Sequence, residues 1–531
     1  MKPQKQPDSQ PPTLNRVGNI FNRLKTAPLS IYTVIFFLLV LTSIVFKICK
    51  CHIAGIVYDE SFTWLHFGKD IYHSPTLEHP NFHVLTAIFD QWAHHLFGSY
   101  EHFVRIPGMI FGTIFSITTA YIIHKTIKSK LIKLALLALV LFNPFTLNLS
   151  FLARGYSIAL CGIYSQLAII VFLISHKIKL SFRWLIIVLM AFTNFLTFGS
   201  MPSCVWVLFG TNAIFVLLYS RTVFSSDTGR LKSAIINIVS IPIATLIPLF
   251  LLYRENFAGI LSVKDDFGSK ASWFKYMTII LRDKIINPDN PDSAVLHSVI
   301  VVMVLLALLV LIFRAVVAFR KKNLFTWTNL DDPGLYFIFA TVLALLMYCF
   351  HRHVLNVSIG FPRNGVVLIP LSLIAAAIVI DKAIQSINQA VIRAIPAIVT
   401  AVAMIYIAAS NPPSMHAMNV YTWDFQSSAG PLLRKLKQID PDHVWLIALT
   451  KERTWSLNLP LSYYRQFDYK FALAGGKNYD VIVFHNTDDK VPNMLYFEKE
   501  YFDKFNCTIG ANKALSTSDK IYIDLQLKPQ K

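Results

Sequence analysis

The sequence predicts an all-α polytopic membrane protein with about eleven transmembrane helices and a small extracytoplasmic α/β domain at its C-terminal end. Three observations carry this. Of the 531 residues, 54% are hydrophobic and only 15% charged, whereas soluble globular chains carry about 25% charged residues. Apolar runs of bilayer-spanning length recur from residue 30 to residue 410. After Asn411-Pro412-Pro413 the composition turns soluble, and short alternating runs replace the long apolar ones.

Residues 1–28 are polar and proline-containing and read as a disordered cytoplasmic tail. The apolar run that follows is full span length and no small-residue cleavage site succeeds it, so it is expected to stay as a helix rather than be removed as a signal peptide. The membrane domain is expected over 29–410, with spans near 30–49, 103–124, 131–149, 155–175, 182–199, 202–220, 233–253, 294–316, 334–350, 364–384 and 390–410. External loops are expected over 51–102 and 254–293. The second loop carries Trp273, Met277, Ile280 and Leu281 at helical spacing beside charged residues, which predicts an amphipathic helix on the membrane surface. The last domain, 411–531, is expected to contain helices over 432–439 and 495–502 and strands over 444–449, 481–484 and 521–525.

A net charge of +19 raises nucleic acid as a partner. Its distribution excludes that reading. Lysines and arginines concentrate in the connectors 125–133, 176–183, 221–232 and 314–322, the pattern that orients membrane spans. It places the N-terminus in the cytoplasm and, with an odd number of spans, the C-terminal domain outside. Six cysteines give no readable disulfide framework. Asn148, Asn356 and Asn506 stand in N-x-Ser/Thr context, and a bacterial inner (plasma) membrane is the expected location.

Chemistry concentrates between residues 57 and 107. Tyr58-Asp59-Glu60 follows the first span, Glu78-His79-Pro80-Asn81-Phe82-His83 opens a segment whose Phe82, Leu85, Phe89, Trp92 and Leu96 form one helical face, and Glu101-His102-Phe103-Val104-Arg105-Ile106-Pro107 returns to the membrane. An acid at the membrane surface is placed to take a proton from an acceptor hydroxyl or amine; two solvated loop acids are the plainer alternative. His79 and His83 stand at i and i+4, the spacing of a helical metal pair, but lack the glutamate of zinc proteases. Hydrogen bonding or substrate positioning is the stronger expectation for them. Arg105, Arg154, Arg352 and Arg363 all fall at outer span ends, where the orientation bias should remove positive charge. A guanidinium there suits a lipid phosphate, with snorkelling or ion pairing to loop acids as the alternative.

These residues also carry a resemblance. The Asp-Glu pair after the first span, the His-Pro element and the Glu-x-x-x-Arg-x-Pro return resemble the first external loop of the C-type, polyprenyl-phosphate-dependent glycosyltransferases, among them the protein O-mannosyltransferases and the lipid A aminoarabinose transferases. Ala153-Arg154-Gly155-Tyr156 resembles the Ala-Arg-x-Tyr element at the start of the fourth span, and Phe361-Pro362-Arg363 with Pro370 resembles the arginine that meets the donor phosphate. The sequence departs from the pattern at Asn81, where a second proline is usual, and at Thr197-Phe198-Gly199-Ser200, where many relatives have a histidine. The resemblance spans roughly 58–370.

It implies an inverting, integral-membrane glycosyltransferase that moves a sugar from a polyprenyl-phosphate donor to a glycan, lipid or protein acceptor on the extracytoplasmic face. Asp59 is then the catalytic acid with Glu60 beside it. Arg363, Arg154 and Arg105 bind the donor phosphate, and Glu78, His79, His83 and Tyr156 position substrate. A monophosphate leaving group held by arginines needs no obligatory divalent metal or other cofactor. Two other classes stay open: a multi-pass secondary transporter or flippase of a lipid-linked or anionic substrate, against which few charges fall inside spans and no inverted repeat is visible, and an assembly scaffold with a degenerate site.

Overall fold

The computed structural model describes residues 30–67, 83–98, 101–175, 183–224, 231–253, 272–278, 285, 298, 332–355, 362–410, 412–413, 428–449, 460–461, 463–464, 469–473, 481–485, 495–497, 507–511 and 528–529. Helix α1 (Ile31–Ile53) starts at Ser30, whose hydroxyl accepts from Thr33 N at 3.3 Å. Its side chains at Ile31, Phe37, Leu38 and Leu41 are exposed, a surface suited to lipid. The segment that follows forms α2 (Tyr58–Phe67) and α3 (Val84–Phe97). The bundle continues with α4 (Ile106–Thr126), α5 (Lys130–Phe142), α6 (Gly155–Ser175), α7 (Arg183–Ser200), α8 (Val205–Phe224), α9 (Leu231–Tyr253), α10 (Pro333–His353), α11 (Leu368–Gln385) and α12 (Ala390–Ser410).

Seven helices among the described residues are long and apolar enough to cross a membrane. Each expected span coincides with a helix except 294–316, which lies outside the described residues. The expected span 131–149 is broken in two. Asn143 accepts from Thr146 N at 3.0 Å and Pro144 follows at the first helical position, so one helix ends at Phe142 and a short one, Pro144–Leu149, begins anew.

Helix α6 is the hub, packing on α4, α7, α8 and α10. Its apolar window is 67% buried against 11% for α1, which puts α6 inside the bundle and α1 at its edge. Close approach depends on small residues. A Cβ at Gly112 would collide with Ser150 O, and one at Gly108 with the carbonyls of Phe151 and Leu152, so α4 lies against the 150–152 backbone. Polar side chains knit the other interfaces: Gln166 donates to Asn194 at 2.6 Å, Asn194 to Asn212 at 3.0 Å, and Thr211 back to Gln166 at 2.5 Å, joining α6, α7 and α8. At the other end of the bundle Asp381 accepts from Lys128 N and Ser129 N at 2.8 and 3.1 Å, tying the basic connector to α11. Asn148, one of the three N-x-Ser/Thr sites, is fully buried and accepts from Lys50 Nζ at 2.6 Å, a position closed to glycosylation.

The C-terminal part carries α13 (Ala429–Ile439) and strands β1 (Trp445–Leu449), β2 (Phe471–Leu473), β3 (Val481–His485), β4 (Leu495–Phe497), β5 (Cys507–Ala511) and β6 (Lys528–Pro529). The sheet order is β2-β1-β3-β5-β4-β6, parallel about β1 and antiparallel beyond β3. The helix expected over 495–502 is corrected: Leu495, Tyr496 and Phe497 pair with Ala511, Gly510 and Ile509, because a Leu-Tyr-Phe run fits a pleated, half-buried surface. The strand expected at 521–525 lies outside the described residues. Within 254–293, the loop expected to carry a surface helix, residues Trp273–Thr278 are helical. Trp273 and Tyr276 are buried, with the Trp273 ring stacked on Tyr348 of α10 at 5.8 Å. This turn therefore packs on the bundle, where a surface helix was expected.

Candidate active site

Where α1 ends, the backbone carbonyls of its last turn lack helical partners. Arg105, at the start of α4, answers them: its Nη1 donates to Ala54 O at 2.6 Å and Cys51 O at 3.4 Å, and its Nη2 to Gly55 O at 2.9 Å. The same guanidinium grips Glu60 from Nε at 2.8 Å and from Nη2 at 2.5 Å. Glu60 accepts in addition from Val57 N at 3.1 Å and Ala153 N at 2.9 Å. Both carboxylate oxygens thus hold two donors each, which fills a carboxylate's four acceptor positions. The pair is fully buried and joins three chain segments.

Asp59 sits one residue earlier in the first turn of α2, where helix geometry favours acids. Its neighbour is Arg154, buried where the 150–154 segment meets α6. Arg154 Nη2 lies 3.6 Å from Asp59 Oδ2, while Nη1 donates to Asp59 O at 3.1 Å and Thr63 Oγ1 at 2.7 Å. Arg154 Nε is buried without a hydrogen-bond partner. The two acid–base pairs therefore differ in kind. Glu60 and Arg105 are committed to each other and to backbone; Asp59 and Arg154 meet more loosely, and the guanidinium retains donor capacity.

His83 caps the other wall as the residue preceding α3. Its Nδ1 bonds Ser200 O at 2.5 Å, and its ring lies edge-on to Tyr156 at 5.5 Å. Because a carbonyl only accepts, Nδ1 carries the proton in this bond. A Cβ at Gly155 would strike both Ser200 O and His83 Nδ1, so the glycine between Arg154 and Tyr156 is what lets the three segments meet. Ser200 belongs to the tetrapeptide that departs from the resembled pattern, and its backbone supplies the partner of His83.

The placement of the expected residues divides accordingly. Asp59, Glu60, Arg105, Arg154, His83 and Tyr156 come together in one buried cluster. Arg105 has its donors occupied by Glu60 and the 51–55 backbone, and the acceptor positions of Glu60 are filled by Arg105, Val57 N and Ala153 N. Glu78 and His79 lie outside the described residues, as does the side chain of Arg363, whose backbone is in the 3₁₀ turn Pro362–Val367 ahead of α11. Arg352 is half-buried in the last turn of α10.

Sequence reading missed Asp90. It projects from the buried side of α3, which also carries Thr86, and is 3% exposed. Burial holds its carboxyl well above the ordinary carboxylate range, with the Glu60 charge adding to the shift and Arg154 opposing it. The signal was available in principle: His83, Thr86 and Asp90 are spaced i, i+3 and i+7, one helical face, but the apolar residues interleaved with them set the expected face elsewhere.

Fold and site together define a multi-pass membrane protein with a buried acid–arginine cluster where the segment after the first helix meets the bundle. No family model matches the chain, and no curated protein matches it. Among solved structures the chain is similar to ArnT from Cupriavidus metallidurans in the apo state, at 11% identity over 80% of this chain and 84% of that one, with a TM-score of 0.47. For the same protein bound to undecaprenyl phosphate the values are 10%, 90%, 97% and 0.45. It is also similar to the archaeal oligosaccharyltransferase AglB from Archaeoglobus fulgidus in complex with an inhibitory peptide and a dolichol-phosphate, at 12% identity over 83% of this chain and 64% of that one, with a TM-score of 0.40. Likenesses at this level assign no role to any residue of this chain.

Proposed function

We propose that the protein is an integral-membrane glycosyltransferase that moves a sugar from a polyprenyl-phosphate donor to an acceptor on the extracytoplasmic face, with inversion at the anomeric carbon. The observation that carries this reading is the Asp59–Arg154 pair, a carboxylate and a guanidinium with an unpartnered Nε, held side by side beneath the first external loop. The motif resemblance of residues 58–60, 101–107, 153–156 and 361–363 supports it from the sequence side.

In this mechanism the acceptor hydroxyl or amine loses its proton to Asp59 as its oxygen or nitrogen bonds the anomeric carbon. The bond from that carbon to the phosphate oxygen breaks, and the electron pair leaves with the lipid phosphate. Negative charge grows on the departing phosphate, and a fixed guanidinium is most effective where charge develops. Arg154 supplies one such donor and Arg363 a second. His83 and Tyr156 line the wall beside Arg154 and position the reacting groups, and the His79 segment lies on the same loop. No step calls for a metal ion.

The test is Asp59→Asn, which keeps size and removes the proton acceptor. Transfer from a lipid-phosphate sugar falls about a hundred- to ten-thousand-fold with expression unchanged. Turnover near that of the wild type would make Asp59 a structural acid and remove the reading.

A further inference from the structure

Buried polar atoms in proteins almost always find partners, and those that do not call for a physical reason. Two such atoms lie one turn apart on the inner side of α3: Thr86 Oγ1 and Asp90 Oδ1, each buried and without a hydrogen-bond partner. Some buried threonines return their hydroxyl to a carbonyl four residues back, as Thr126 and Thr341 do at 2.8 and 2.9 Å, whereas Thr119 and Thr146 leave theirs unpartnered. Thr86 belongs with the latter. Helix α3 packs against α2, α4, α6 and α7, and the charges of Glu60 in α2 and Arg154 at the start of α6 both act on Asp90. The unpartnered Nε of Arg154 completes the set.

We propose that Thr86 and Asp90 form the subsite for the hydroxyls of the transferred sugar. This rests on the glycosyltransferase reading above and extends it to the substrate. The sugar is bonded to the phosphate that Arg154 holds, and its anomeric carbon faces the acceptor that Asp59 deprotonates. It must therefore lie beside both residues, and Thr86 and Asp90 are unpaired hydrogen-bonding groups on a helix packed against α2, which carries Asp59, and α6, which follows Arg154. The chemistry fits a polyol. A protonated carboxyl and a threonine hydroxyl each donate and accept, as a sugar hydroxyl does, and neither demands a charged ligand.

The test uses the purified full-length protein, with undecaprenyl phosphate and undecaprenyl phosphates carrying glucose, mannose or arabinose as probes. The wild type binds at least one glycosylated lipid more tightly than the bare one. Asp90→Leu removes that preference, weakening the glycosylated lipid about ten- to hundred-fold while leaving the bare lipid unchanged. Asp90→Asn, which also donates and accepts, stays within a few-fold of the wild type, and Thr86→Val follows Asp90→Leu in the same direction. Asp90→Leu also keeps or raises the thermal midpoint of the ligand-free protein, which a merely structural carboxyl would not do. Equal loss of both lipids in Asp90→Leu, or glycosylated lipids binding no better than the bare one in the wild type, overturns the subsite alone. If the wild type binds none of the lipids, the donor class itself falls.

Discussion

At the scale of single residues the cluster separates side chains that build the site from those available to react. Removing one partner of a buried, hydrogen-bonded ion pair leaves a charge without compensation, at about 3–5 kcal/mol. Arg105→Met and Glu60→Gln are therefore expected to lower the thermal midpoint sharply, with the double variant recovering part of the loss because no lone charge remains. If both single variants unfold like the wild type, the clamp is not what holds the 51–57 turn. Asp90 contributes with the opposite sign. From its unfolded value near 4 up to its raised folded value, the unfolded chain has released the proton that the native chain keeps, so stability falls as pH rises, by up to about 1.4 kcal/mol per unit. Asp90→Leu flattens that limb of the stability curve, as denaturation midpoints from pH 4 upward can check. Asp59, Glu60, Arg105 and Arg154 were all legible in the sequence, because acids and arginines at outer span ends stand out against apolar surroundings. What each does was not. A phosphate-binding arginine and one that caps a helix end have the same sequence signature, and only the hydrogen bonds of Arg105 distinguish them. Asp90 was hidden because a single acid inside an apolar periodic run reads as the wet side of the helix.

At the scale of elements, α3 shows how one short helix serves two surroundings. Its apolar stripe was legible, but the stripe divides. Leu85 packs against Ile158 and Leu196, while Trp92 and Leu96 are 59% and 74% exposed. Apolar side chains projecting this far from a helix that lies along a bundle belong in lipid at the interface. A nitroxide label at position 96 is expected to be relaxed more strongly by oxygen than by a water-soluble nickel chelate; the reverse would place this face in water. The long helices were read almost to their ends, since a bilayer sets their length. Of the strands, β1 and β3 were legible at 444–449 and 481–484, but the three-residue β2 and β4 were not, because periodicity needs more residues than they contain. Phe471–Leu473 and Leu495–Phe497 exist through pairing with β1 and β5, which is non-local information.

At the scale of the whole molecule, the C-terminal part closes over the segment that carries Asp59. The Tyr464 hydroxyl accepts from Ile56 N at 3.2 Å, Arg434 reaches Ile53 O at 3.4 Å, and Trp64 meets Tyr463 edge-on at 6.5 Å. Ile56, Trp64, Val104 and Ala153 share one apolar cluster with Leu432, Leu433 and Leu436 of α13. The turn that positions Asp59 is thus packed from the bundle on one side and from the C-terminal part on the other. Leu433→Ala combined with Tyr464→Phe is expected to speed amide hydrogen exchange over residues 53–64 while leaving α6 unchanged, and unaltered exchange at 53–64 would show that the contact does not order the turn. The central claim is that the outer end of this bundle holds a lipid phosphate with guanidinium groups. It is tested most directly by the affinity of the purified full-length protein for undecaprenyl phosphate, measured beside Arg363→Lys. A planar fork that makes two hydrogen bonds to phosphate is not replaced by an ammonium. Wild-type protein is expected to bind, and Arg363→Lys to bind about ten- to hundred-fold more weakly, the loss of one charge-assisted contact of about 1.5–3 kcal/mol; no binding by the wild type, or equal affinity in the two, would contradict it.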